Sequence, residues 1–277
     1  MREYTAYIVD TEFVWGYQTN VAGLSKTPPS FTYPPPTTFL GAITEAIAKR
    51  KGLGESSYIR TLNELVEPLL AIAIKPKNIY PLKTLDINRV IAVRSSSVKL
   101  PSGKSIQVQH PDPEHIDKAF DAPARGKTVA SPVGGPPTIT WILVFAKEPA
   151  SLDARDLWRI HRLGTKESVV SVTRVEKTKA TVAEEGKART EYSVPLRYVK
   201  SFVPKIGSEW IIESYADPFR PFNGDSPATR YVAGDTVLFA LPLNKGSLMP
   251  SVASVEVGEG GAVYRVGKAS VVGVMKG

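Results

Sequence analysis

The sequence predicts an α+β fold, and three features point to it. Short apolar runs recur along the chain as strands do, two stretches carry apolar residues at helical spacing, and the C-terminal region shows strand signals separated by Pro and Gly.

Tyr4 to Asp10 alternates enough to read as a strand. A Pro-rich linker follows and ends in Tyr33-Pro-Pro-Pro-Thr-Thr38. Proline there blocks a helix and Thr37 or Thr38 can cap one, so a helix is expected from about Phe39. Phe39, Leu40, Ile43, Ala46 and Ile47 give it an apolar stripe, and Lys49, Arg50 and Lys51 precede the glycine stop at Gly52. Leu69 to Ile74 reads as a buried strand.

From Thr84 to Pro137 the chain is basic, polar and rich in Pro and Gly. Val98 and Leu100 face Ile106 and Val108 across Pro101 to Lys104, a hairpin pattern. A structureless connection of this length is unusual inside a compact domain, so the segment is expected to be a functional excursion. Thr138 to Phe145 is the strongest strand signal, and Ser151 or Asp153 can cap a second helix that runs to Arg162 and stops at Gly164. Val169 to Val175 alternates again, and Glu184 to Lys187 reads as a hairpin tip returning through Tyr192 to Val199. Trp210 to Ser214, Val237 to Leu241, Val252 to Val257 and Val271 to Val274 read as short strands, with no helix pattern among them. The order strand, helix, strand, excursion, strand, helix, strand is the βαββαβ arrangement of ferredoxin-like (RRM-like) domains. The arrangement covers residues 1–200, with 84–137 as an elaborated connection between its second and third strands, and leaves 201–277 as a β-rich remainder. Order alone assigns no function.

A chain of 277 residues, 42% hydrophobic, can bury one sizeable core, or a main core and a smaller one. No apolar run approaches the roughly 18–20 residues of a membrane span, and the N-terminus has no charged start followed by an apolar run. The expectation is a soluble, cytoplasmic protein. The absence of cysteine excludes disulfides, thiolate metal sites and a cysteine nucleophile. A net charge of +8 favours a polyanionic partner, against the alternative of a basic surface with none. The 23 prolines, three methionines and lack of cysteine lean towards a thermophile.

Several motifs carry two readings. In Arg162-Leu-Gly-Thr-Lys-Glu-Ser168, Gly164 permits a positive φ, and Thr165, Lys166 and Ser168 could hold a phosphate; an ordinary helix stop with solvated charges is the other reading. His110, His115 and His161 are the side chains that could act as neutral-pH bases, yet no nucleophilic constellation assembles around them. His110 and His115 match no helical ligand pair, so neither metal nor cofactor is expected. Trp15, Tyr17, Phe31 and Tyr33 could stack on bases, but core packing is the more ordinary role. Gly258 to Gly261 lacks the Lys-Ser/Thr of a P-loop and reads as a turn.

Taken together, Pro28-Pro-Ser-Phe31, Tyr33-Pro-Pro-Pro-Thr-Thr-Phe-Leu-Gly-Ala42 and Arg162-Leu-Gly-Thr-Lys-Glu-Ser-Val-Val-Ser171 resemble the Cas-five family of the RAMP superfamily, closest to its archaeal type I-A branch. The resemblance spans the N-terminal two-thirds of the chain. It implies a ferredoxin-like domain over 1–200 with 84–137 as a thumb-like insertion, and a small C-terminal β-rich domain over 201–277. It also implies the role of a non-catalytic subunit of a type I CRISPR Cascade complex that binds the 5′ handle of crRNA beside a backbone subunit and the large subunit, in antiviral defence. It moves the Gly164 loop from helix stop to RNA contact. The expected RNA-binding residues are Thr37, Thr38, Arg162, Gly164, Thr165, Lys166 and Ser168, with Arg89, Arg94, Lys99 and Lys104 on the excursion. The type I-C branch cleaves precursor RNA with Tyr, Lys and His residues; that set cannot be placed here, since no adjacent Lys-His pair occurs. A metal-independent endoribonuclease is the alternative function, and a basic assembly protein without RNA contact the third.

Overall fold

A computed structural model describes residues 3–19, 30–90, 93–99, 103, 105–111, 120–164, 168–223, 227–247 and 249–276; for 86–90, 93–95, 98–99, 106–111, 120–124, 227–228 and 232 the description is of the backbone alone. The chain is mixed α and β, with strands dominant. The N-terminal part runs β1 (Glu3–Phe13), β2 (Gly16–Tyr17), α1 (Pro36–Lys51), α2 (Tyr58–Val66) and β3 (Leu69–Pro76). The excursion follows as β4 (Tyr80–Val90), β5 (Val93–Lys99), β6 (Ser105–Pro111) and β7 (Phe120–Ala130). Then come β8 (Thr138–Phe145), α3 (Ala154–Trp158), β9 (Val170–Val182), β10 (Lys187–Thr190), β11 (Val194–Pro195), β12 (Val199–Pro204) and β13 (Ser208–Ala216). The chain closes with α4 (Pro227–Ala233), β14 (Thr236–Asn244), β15 (Ala253–Val257), β16 (Gly261–Val266) and β17 (Ala269–Val274).

The main sheet has the order β17-β16-β9-β1-β8-β3, and every pairing in it is antiparallel. Both faces are covered, which is why β8 reads as an unbroken apolar run. Ile139, Trp141, Leu143 and Phe145 pack with α1, while Ile142 and Val144 pack with β16 and β17 on the other face. Phe39 of α1 stacks on Trp141 with ring centroids 4.2 Å apart, and the Trp141 indole donates to Thr11 Oγ1 at 3.0 Å. The helix is thereby fixed over the sheet centre by an aromatic pair whose polar handle is satisfied. At the far end of α1, Arg50 forms a two-pronged pair with the fully buried Asp156 carboxylate, at 2.7 and 2.9 Å. Lys49 and Arg50 thus bind partner side chains as well as facing the helix C-terminus.

The structure corrects several sequence expectations. Helix α1 starts at Pro36, with Pro35 at the N-cap and no side-chain cap bond. Thr37 and Thr38 therefore lie in its first turn and cap nothing. Proline in the first turn suits a helix start because its missing N–H has no intrahelical acceptor there. The second helix opens on an Asp153 capping box, as expected, but ends at Trp158. Arg162 and Gly164 belong to a hairpin-like loop, in which Arg162 bridges Val169 and the Leu163 N–H donates to the Ser168 carbonyl at 2.9 Å. Gly164 is consequently no helix stop. Helices α2 and α4 had no sequence prediction, although Thr61, Leu62, Leu65 and Val66 of α2 face inward at helical spacing.

The described residues of the excursion are largely paired strands. Strands β4 and β7 pair over their whole length, β2 adds to β7, and β5 pairs with β6. Val98 opposes Ile106, as the hairpin pattern required, while Val108 opposes Ser96. Beyond the predicted hairpin tip, β10 leaves β9 and pairs with β15. The C-terminal strands β16 and β17 extend the main sheet through β9. Among the described residues, no helix is long and apolar enough to cross a membrane.

Candidate nucleic-acid interface

A cavity of about 300 Å³ opens between the first turn of α1 and the Arg162–Gly164 loop, lined by Thr37, Thr38, Glu45, Tyr58, Arg162 and Gly164 among others. Its floor is made by small residues of α1. Gly41 matters here, since a β-carbon would stand 3.1 Å from the Tyr58 hydroxyl. Phe31 and Tyr231 close another wall, with rings 5.9 Å apart.

Charge in the cavity centres on Glu45. The Arg162 guanidinium donates to both of its oxygens at 3.2 and 3.3 Å, and Lys49, one turn along α1, sits at 2.8 Å. Burial alone would raise the Glu45 carboxyl, but the Lys49 hydrogen bond and the Arg162 charge hold it below its ordinary value. Burial, followed by the Glu45 charge, pushes the Tyr58 phenol up, so it stays a neutral donor. Within the lining, the Arg162 and Glu45 charges balance and hold each other in place, and the exposed Lys49 adds a second cation beside the Glu45 carboxylate, outside the lining.

The loop opposite α1 is built around Gly164, at φ +127°. A β-carbon there would meet the Gln18 carbonyl oxygen at 2.6 Å and Ser168 Oγ at 2.8 Å. Only glycine fits both the conformation and the space. Ser168 is fully buried and accepts the Gln18 N–H at 2.9 Å. This corrects its place among the ligand-facing residues: its hydroxyl is turned inward and ties the loop to residues 18–19. Phe31 N–H donates to the Thr19 carbonyl at 2.9 Å, so the loop, residues 18–19 and the linker before α1 form one stitched wall.

Compared with solved structures, the chain superposes on a CRISPR protein from Archaeoglobus fulgidus with a TM-score of 0.68 and 36% sequence identity, covering 98% of this chain and 100% of that one. The chain belongs to this family of CRISPR proteins. A chain of type III-B Cmr-beta, solved bound to cognate target RNA and AMPPnP, aligns over 90% of this chain and 86% of that one at 9% identity, with a TM-score of only 0.38. No family model and no curated protein matches the chain.

In this CRISPR protein, four of the sequence-predicted site residues, Thr37, Thr38, Arg162 and Gly164, line one cavity although two chain segments supply them. Lys104, Thr165 and Lys166 lie outside the described residues, and of Arg89, Arg94 and Lys99 only the strand backbone is described. Gly41, Glu45, Tyr58 and Tyr231 were missed. For Glu45 the signal was present as an i, i+4 pair with Lys49; for Gly41 it was the small pair Gly41-Ala42 inside an otherwise apolar helix. Tyr17, Phe31 and Tyr33 are buried and serve the core, while Trp15 stays partly exposed. His161 is exposed, its Nδ1 near the Arg159 carbonyl at 3.3 Å.

Proposed function

We propose that this CRISPR protein is a Cas-five-type, non-catalytic RNA-binding subunit of a type I Cascade complex, and that the cavity between α1 and the Gly164 loop grips the 5′ handle of crRNA. The observation that carries this reading is the meeting, in one cavity that holds the Arg162–Glu45 pair, of the two motif segments that resemble that family. The β9-β1-β8-β3 order with helices α1 and α3 over one face supports a ferredoxin-like, RAMP-type core, and the net charge of +8 supports a polyanionic ligand. On this reading the β4–β7 ladder is the thumb, and a backbone subunit and the large subunit are the protein partners. The deciding experiment is incubation with repeat RNA in EDTA, followed by gel shift and product analysis. Binding without cleavage is expected; cleavage would replace this reading with the endoribonuclease, and absence of both would leave an assembly protein.

A further inference from the structure

A second pocket, of about 350 Å³, lies at the root of the thumb and is lined by Ser30, Lys83, Thr84, Leu85, Arg125, Gly126 and Lys127. Lys83 is directly opposite Lys127 and Leu85 directly opposite Arg125 across β4 and β7, so all four side chains stand on one face of the ladder. Like charges directly opposed in a sheet are destabilising unless something between them carries the opposite sign. Lys127 is 9% exposed. Among the described residues, none of Lys83, Arg125 and Lys127 has a side-chain hydrogen bond or an ion pair. A lysine so buried normally has a partner, and this one lines the pocket. Burial lowers the Lys127 pKa; the nearby Glu213 charge opposes that fall and the Lys83 charge adds to it.

We infer that this pocket is a phosphate site, in which the Lys127 and Lys83 ammonium groups and the Arg125 guanidinium hold one phosphodiester of a single-stranded RNA. Lysine supplies point charge and arginine a two-pronged donor, a combination suited to a phosphate group. Leu85, 72% exposed on the same face, gives the pocket an apolar wall that inorganic phosphate leaves unused and a flanking base can cover. The site stands on its own geometry; RNA as the source of the phosphate rests on the proposed function above.

The test uses the full chain as wild type, Lys127→Met and Lys83→Met. Anisotropy titrations with single-stranded repeat RNA are run across a salt series. Melting curves are recorded in inorganic phosphate and in chloride at equal ionic strength. Each variant is expected to bind RNA about tenfold more weakly, the scale of one charge-assisted contact, and to lose about 0.7 from the log–log salt slope. Phosphate should raise the melting temperature of the wild type above its value in chloride, and the rise should vanish in Lys127→Met. Should Lys127→Met lose stability, Lys83→Met, on the exposed partner, carries the RNA arm alone. A wild type that binds RNA, with both variants matching its affinity and slope, overturns the site. Phosphate stabilisation that depends on Lys127 in a protein that binds no RNA supports the site and overturns RNA as its source. No response to either ligand overturns both.

Discussion

Replacing Gly164 by alanine tests the argument that the loop is shaped by crowding as well as by conformation. The backbone at φ +127° lies where residues with a β-carbon rarely go, which costs about 1–3 kcal/mol. The added carbon would also stand 2.6 Å from the Gln18 carbonyl, 2.8 Å from Ser168 Oγ and 3.0 Å from Thr19 Cγ2. The carbonyl belongs to the backbone and cannot swing aside, so overpacking adds a further cost of about 1–3 kcal/mol. At about 2–4 °C per kcal/mol for chains of this order, Gly164→Ala should lower the melting temperature by roughly 5–20 °C. Gly207 is the control, because it too has a positive φ, +81°, yet a β-carbon added there would meet nothing within 4 Å. Calorimetry of Gly164→Ala, Gly207→Ala and wild type separates the two contributions. Equal melting of the two variants would refute crowding at Gly164. RNA affinity, measured well below melting, should fall in Gly164→Ala and hold in Gly207→Ala.

Lys166→Ala should weaken handle RNA more than scrambled RNA at matched salt without changing the melting curve; equal binding of both RNAs at wild-type strength would remove the loop charge from the interface. Alanine at Arg89, Arg94, Lys99 and Lys104 together should lower the log–log salt slope by about 0.7 for each phosphate that the protein no longer neutralises, and an unchanged slope in filter binding would take these residues off the RNA. Thr37→Ala/Thr38→Ala removes no cap bond, so stability should stay within about 0.5 kcal/mol while RNA affinity falls; a protein that melts normally and binds normally would leave these threonines as plain first-turn residues. Arg50→Ala strips the buried Asp156 carboxylate of its two-pronged partner, at an expected cost of about 3–5 kcal/mol in urea unfolding, and a loss under about 1 kcal/mol would mean that Arg159, at 3.7 Å, suffices as a replacement.

The central strands were legible because burial on both faces leaves a plain mark: β3 and β8 are near-continuous apolar runs. The β4–β7 ladder was not, since its sequence mixes Lys, Thr, Asp, Asn and Arg on both faces. Its register is set by a partner strand rather than by a hydrophobic core. In the candidate site, the Thr-Thr and Leu-Gly segments stood out as motifs, but the residues that join them did not. Glu45 acquires its role from Arg162, which only folding brings alongside. Ser168 shows the opposite failure: a loop hydroxyl reads as an exposed donor, whereas the fold turns it inward as an acceptor. Thr37 and Thr38 suggested a cap for the same reason, because local sequence shows what a side chain can do and only the fold decides where the helix starts.

One stretch of backbone, residues 16–18, links the walls of the two cavities, and this bears on how a strand of RNA would be held. Gly16 and Tyr17 pair with Thr128 and Lys127 of the thumb, and the next residue, Gln18, donates its N–H to Ser168 beneath the Gly164 loop. Gly16 tolerates no β-carbon at this contact, since one would stand 2.0 Å from the Lys127 carbonyl oxygen. Tyr17 hydrogen-bonds the Thr32 carbonyl, and Glu213 accepts the Thr32 N–H at 2.8 Å, which ties the linker before α1 to the same stretch. The spacing between the cavities is therefore fixed by backbone pairing, not by side chains that reorient at little cost. For a ligand that reaches both, the second contact becomes intramolecular and its effective concentration is set by the strand between them. Weak single-phosphate contacts then multiply. Under the proposed function, the thumb-root cations Lys83, Arg125 and Lys127, with no ion pair among the described residues, would stay available for a strand whose end the Gly164 loop already held.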